Sequence, residues 1–335
     1  MIKRAKLLIL ISLLLTLISC GDSSNKKKAL NLVNSDSPID LSDLSANFYK
    51  DISYGKCENN SFDLFLPNSE EKTSLVIFVH GGGFVGGDKD KAYKGEYPEQ
   101  IRTFLKNNIA FATINYRFIT DPESEGVITS LSDSKRCLQF IRYHSEELNI
   151  DKEKIGMYGS SAGSGISLWL GLHDDMKEAS SEDVIEREST RIKAVGALET
   201  QATYDIIKWG TLVFKPFNIT FEKLTKSGMN KTLLSFYNIE AISELYSEEM
   251  IEYRENIDFL KLMSNDDPSL WVENKKYEAG APQSKRELNH HPFHARVLKD
   301  QADKIGLESV FYIPKLGIVD STRLTLEEFM IQNLK

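Results

Sequence analysis

Along the chain, short runs of consecutive apolar residues take turns with longer stretches in which apolar residues recur every three or four positions. The runs at 61–66, 74–80, 109–116, 154–158, 192–198, 269–273 and 308–313 have strand length. Leu75-Val76-Ile77-Phe78-Val79 shows no apolar/polar alternation, as expected of a strand covered on both faces. Residues 91–107, 133–148, 162–173 and 292–304 carry helical spacing; Cys137, Leu138 and Ile141, for instance, share one face. Thr325 and Glu328 stand at the spacing of a capping box that opens a last helix. Strands and helices in this rhythm predict an α/β domain, a mostly parallel twisted sheet with helices on both faces. The rhythm breaks over 201–263, which is mainly helical and rich in aromatic residues, and predicts a helical cap inserted between two strands.

The first residues follow a different pattern. Lys3, Arg4 and Lys6 precede an apolar stretch at 7–18 that is short for a bilayer span, the layout of a signal peptide over 1–19. Leu17-Ile18-Ser19-Cys20 resembles a bacterial lipobox, which would make Cys20 a lipidated residue anchoring the protein to a membrane outside the cytoplasm. Residues 20–45 are polar and include Lys26-Lys27-Lys28, and they predict a flexible tether to a domain at 46–335.

Composition adds little to this organisation but removes some partners. With 41% hydrophobic and 27% charged residues over 335, the chain has material for one large core, and a net charge of -8 without a basic stripe argues against nucleic acid. Cys57 and Cys137 read as free thiols rather than an essential disulfide. Nothing in the pattern calls for a cofactor, and the oligomeric state is open.

The chemistry concentrates at Gly159-Ser160-Ser161-Ala162-Gly163, a G-x-S-x-G between a strand and a helix. Such a turn is tight enough that a β-carbon beside the serine would collide with its neighbours, so the glycines are a steric requirement for Ser161 as nucleophile. Upstream, His80-Gly81-Gly82-Gly83 follows a buried strand. The amides of Gly82, Gly83 and Ala162 could hold the negative oxygen of a tetrahedral intermediate, with His80 bracing the loop.

These motifs, with HGGGFVGGDKD at 80–90, INYRF at 114–118, the run at 131–163 and SNDDPSLWV at 264–272, resemble the α/β-hydrolase superfamily. The likeness is to its HGGG esterases, among them carboxylesterases and feruloyl or acetyl-xylan esterases. That resemblance implies a carboxylic ester hydrolase acting on small-molecule or glycan esters, with an acid after the strand at 269–273 and a histidine after the strand at 308–313. Here the sequence departs from the family. Residues 274–278 contain no aspartate, and no histidine follows His294.

Six histidines leave few candidates for the base. His144 and His173 fall in or at the end of helices, whereas His290 and His291 lie beside Pro292, at the start of a helix on the sheet edge that must also carry Ser161. The expected base is therefore His291 or His290, with Glu278 or Glu199 as its acid. A metal at His290 and His294 has no third ligand in view, so no metal is expected. The competing expectation is a hydrolase fold that has lost its triad and binds without turnover.

Overall fold

The computed structural model describes Leu30 and residues 32–335. The signal peptide and Cys20 lie outside the described residues. Nine strands form one sheet in the order β1-β2-β4-β3-β5-β6-β7-β8-β9. They are β1 Ala46–Ser53, β2 Ser61–Pro67, β3 Thr73–Val79, β4 Ile109–Ile114, β5 Ile150–Ser160, β6 Ala194–Leu198, β7 Ser269–Glu273, β8 Ser309–Ile313 and β9 Ile318–Val319. The strands from β4 through β8 in that order run parallel, while β1, β2 and β9 pair antiparallel at the two edges.

The helices of the main body are α1 Tyr97–Lys106, α2 Val127–Tyr143 and α3 Ala162–Leu172. Val76, Phe78 and Tyr158 project to one face and pack with Ile101 and Phe104 of α1 and, near the chain end, with Phe329 and Met330. Residues one step out of phase, such as Val195, face the other way. There Gly171 of α3 lies so close to Val195 that a β-carbon would come within 2.2 Å of its methyl group. Leu75 to Val79 are all fully buried, each contributing roughly 1.5–3 kcal/mol of transfer free energy as an upper figure.

Between β6 and β7 the chain passes through α4 Trp209–Leu212, α5 Phe221–Leu224, α6 Asn230–Tyr237, α7 Glu248–Asn256 and α8 Phe259–Leu262. After β7 come α9 Lys285–His290 and α10 Pro292–Ile305, and α11 Leu326–Leu334 closes the domain behind the Thr325/Glu328 capping box.

Two expectations need correction. The flexible tether does not extend to 45. Asn34 bridges Tyr49 of β1, Ile39, Leu41 and Leu44 pack on the core cluster, and Arg102 grips both oxygens of Asp43 at 2.7 and 2.8 Å. Three apolar side chains and a forked ion pair are enough to fix a segment that composition alone marks as polar. The helix expected at 133–148 is α2, which starts earlier because Gly126, at φ 80°, makes the turn that launches it.

Candidate active site

Strand β5 delivers Ser161 onto a sharp turn. Its φ of 55° and ψ of -117° lie outside the favoured regions for a residue with a β-carbon, a strain on the order of 1–3 kcal/mol that the surroundings must hold. They do so through Ser161 N, which donates to Leu198 O at 2.8 Å, and Ser161 O, which accepts from Ser164 Oγ at 2.6 Å. The flanking glycines are sterically required. A β-carbon on Gly163 would sit 2.0 Å from Val79 O, and one on Gly159 would sit 2.3 Å from Gly163 C.

The glycine-rich loop leans on this turn. A β-carbon on Gly81 would meet Ser160 O at 2.6 Å, one on Gly82, at φ 128°, would meet Gly86 O at 1.7 Å, and Gly83 takes a left-handed φ of 62° that glycine adopts most readily. Ala162 is the first residue of α3, whose leading amides have no partner inside the helix. Gly82 and Gly83 line a cleft together with Ser161, and Gly83 and Ala162 line a second, smaller cavity with it. His80 is buried beneath them, with Nδ1 2.7 Å from Gly81 O, its ring stacked on Tyr116 and Tyr116 Oη donating to its carbonyl at 2.8 Å. It braces the loop from below.

Of the two candidate bases, His290 is the one at the serine. Its Nε2 stands 2.8 Å from Ser161 Oγ, and its Nδ1 stands 3.0 Å from Arg286 O, one turn back in α9. A carbonyl only accepts, so Nδ1 carries the proton and Nε2 presents the lone pair that the serine hydroxyl needs. Tyr277 stacks on the ring at 5.7 Å and 14°. Burial, reinforced by the charges of Lys276 and Arg286, holds the imidazole pKa below 6.5 against the opposing pull of the Arg286 carbonyl.

His291 is not placed to act on Ser161. Its Nδ1 caps α10 by accepting from Phe293 N at 3.2 Å, and its Nε2 donates to Gly280 O at 2.8 Å. His294 is fully buried, with Nδ1 accepting from Ala202 N at 3.1 Å and Nε2 donating to Leu288 O at 2.9 Å. Because α9 and α10 are separate helices that meet at His291, the i, i+4 spacing of His290 and His294 does not put them side by side on one helix, and among the described residues there is no cluster able to hold a metal.

Neither expected acid reaches the base. Glu278, in the loop between β7 and α9, is 78% exposed and pairs with Lys315. Glu199 does line the cleft with Ser161 and His290, but its Oε1 accepts from the amides of Lys275 and Lys276 at 3.1 and 3.0 Å. Burial raises its pKa, and Oε2 is enclosed without a partner. Asn274 occupies the position directly after β7, clasping the backbone of Thr200 through Oδ1 at 3.0 Å and Nδ2 at 3.1 Å. After β8, where the resemblance implied a histidine, Ile318 pairs with Ile313 as β9 folds back on β8.

The site opens into two spaces that meet at Ser161. One is a cleft of about 920 Å³ lined by His290, Glu199, Lys276 and Arg286 among others, and the second is an apolar cavity of about 60 Å³ beneath the cap. The cap is fastened to α9, since Gln201 Nε2 donates to Asn289 O at 2.7 Å and Lys285 Nζ donates to Thr232 Oγ1 on α6.

Among solved structures, a truncated carbohydrate esterase from gut microbiota matches 92% of this chain and 99% of its own, with a TM-score of 0.61 at 14% identity. Esterase B from Lactobacillus rhamnosis matches 80% of this chain and 75% of its own, with a TM-score of 0.54 at 13% identity. At such identities the likeness is one of fold. In sequence, a probable isoprenylcysteine alpha-carbonyl methylesterase of Arabidopsis thaliana is 29% identical over 147 residues, 43% of this chain. Probable carboxylesterase 3 of the same plant is 28% identical over 133 residues, 37% of this chain. The matched stretches span 29% and 41% of those two relatives' lengths. The BD-FAE family model matches residues 62–238, more than half of the chain, and the protein belongs to this esterase family of the α/β-hydrolase fold.

Proposed function

We propose that the protein is a serine carboxylic ester hydrolase whose catalytic pair is Ser161 and His290, with a backbone carbonyl in place of the triad's acid. The observation that carries this reading is the 2.8 Å contact between Ser161 Oγ and His290 Nε2, on an imidazole whose tautomer is set by Arg286 O. The Ser161 oxygen adds to the ester carbonyl as Nε2 takes its proton, and the amides of Gly82, Gly83 and Ala162 receive the developing oxyanion. His290 then protonates the leaving alcohol, giving an acyl-serine. Water, deprotonated by the same nitrogen, releases the acid and restores the hydroxyl.

A carboxylate in a triad fixes the tautomer and stabilises the imidazolium. The Arg286 carbonyl performs the first task with a neutral dipole and the second only weakly, so turnover is expected to be modest. The polar cleft suits a hydroxyl-rich alcohol such as a glycan, and carbohydrate esterases among the structural neighbours support that choice.

The test is labelling by a fluorophosphonate and turnover of an aryl acetate. Ser161→Ala is expected to abolish labelling, His290→Ala to cut kcat/KM by at least about 10³-fold, and His291→Ala and Glu278→Gln to spare it if folding is intact. Absence of labelling and turnover in the wild type would favour the binding-only reading, while full activity in His290→Ala would remove His290 as base.

The same proposal includes a lipid anchor on Cys20, supported by the lipobox-like sequence and placing the enzyme outside the cytoplasm. Radiolabelled palmitate should enter the wild type and not Cys20→Ser; equal labelling of both would refute the anchor.

A further inference from the structure

We infer that the small cavity beside Ser161 is the acyl pocket, that it admits short saturated acyl groups up to about butyryl, and that it excludes hydroxycinnamoyl groups. This rests on the hydrolase reading above and deepens it.

The two spaces at Ser161 can be assigned by the proton that has to be returned. The leaving oxygen must come within reach of His290 Nε2 to be protonated. His290 lines the large cleft and not the small cavity, whereas Gly83, Ser161 and Asn289 border both. The alcohol therefore departs into the large cleft. The carbonyl carbon stays on Ser161 with its oxygen toward Gly83 and Ala162, which leaves its acyl tail pointing into the other space.

The second space is small and mainly apolar. Its apolar walls are Phe84, Tyr204, Ile206, Trp209, Met229 and Phe236, every one of them buried, and Gln201, Thr232 and Asn289 add polar groups to the lining. Tyr204 Oη donates to Ala162 O at 3.0 Å, and Trp209 Nε1 donates to Thr203 O at 2.9 Å, so the two largest walls are pinned. Phe236 meets Phe84 and Tyr204 edge-on at 5.9 and 5.4 Å. A cavity of about 60 Å³ has room for roughly two to four non-hydrogen atoms, judged by the space one water needs. The tail of an acetyl, propionyl or butyryl group fits that space, but a methoxyphenyl-propenoyl tail is several times larger. Met229 and Phe236 of the cap are two of these walls, and truncating either side chain enlarges the space for the tail, which makes them determinants of chain length.

The experiment compares 4-nitrophenyl acetate, butyrate, octanoate and ferulate, which share one leaving group. In the wild type, kcat/KM is expected to fall at least tenfold from butyrate to octanoate and at least tenfold from acetate to ferulate. Met229→Ala and Phe236→Ala, each confirmed folded by its thermal transition, should raise the octanoate-to-acetate ratio threefold or more. Equal rates across the four esters overturn the acyl-pocket assignment, as does a ratio unmoved in both variants. If neither variant folds, the wild-type profile decides alone. Failure of every ester, together with failure of the fluorophosphonate, overturns the hydrolase reading itself and the pocket with it.

Discussion

In the proposed hydrolase, Arg286 would serve catalysis through its backbone carbonyl, and that choice of partner for Nδ1 bears on how His290 responds to pH. A carboxylate at Nδ1 would favour the imidazolium. At this site burial and the positive charges of Lys276 and Arg286 oppose it, and the folded pKa lies below 6.5. The neutral, basic form therefore persists to lower pH than a free imidazole would allow. The acid limb of kcat/KM should turn below pH 6.5; a limb above that value contradicts the geometry. Glu199 acts at one remove. Its carboxylate holds the amides of Lys275 and Lys276, which carry Tyr277 onto the His290 ring. Glu199→Gln keeps an acceptor for those amides and should leave the acid limb where it is, with a smaller loss of kcat than Glu199→Ala. A displaced limb in the Gln variant would mean that the Glu199 carboxylate senses the imidazole directly.

Among the elements, those with a strong local signature were legible in the sequence and those defined by pairing were not. Strand β3 declares itself by five consecutive apolar residues, and the turn at Ser161 by glycines that leave no room for a β-carbon. By contrast β1 loses its alternation at the bulge between Tyr49 and Ile52 and takes its identity from pairing with β2, and β9 is two residues long. Helix α9 has a local signal that hydrophobic spacing alone does not show. Ser284 and Glu287 stand at capping-box spacing, with Ser284 Oγ accepting from Glu287 N at 3.2 Å and Glu287 accepting from Gln283 N at 2.7 Å. Reading that box would have put His290 at the end of its own helix and His291 in the break before Pro292. The partner of His290 Nδ1 has no signature in the sequence, because a backbone carbonyl is present at every residue and only the fold singles out that of Arg286.

On the scale of the whole molecule, His294 ties the base of the cap to the helix that holds His290. Burial depresses its pKa to about 3. Below its ordinary value of 6.5 the unfolded chain takes up a proton that the folded chain refuses, so stability present above that pH is lost as pH falls from 6.5 towards 3. The slope for one such group approaches about 1.4 kcal/mol per pH unit. Urea denaturation should give a lower midpoint at pH 5 than at pH 7, and His294→Gln should flatten the difference; a wild-type midpoint level across that range contradicts the burial.

The fastening of the cap to α9, through Asn289 to Gln201 and Lys285 to Thr232, couples the position of the base to that of the cap. In a triad whose histidine sits on a loop of the central body, a lid can swing aside and leave the serine armed. Here the helix that carries the histidine is hydrogen-bonded to the cap. A displacement of the cap that kept those two bonds would draw the imidazole off Ser161, and a serine without its base is an unreactive alcohol. The 2.8 Å contact between Ser161 and His290 therefore depends on the cap staying seated, so the steadiness of the cap and the readiness of the nucleophile are one property of the fold.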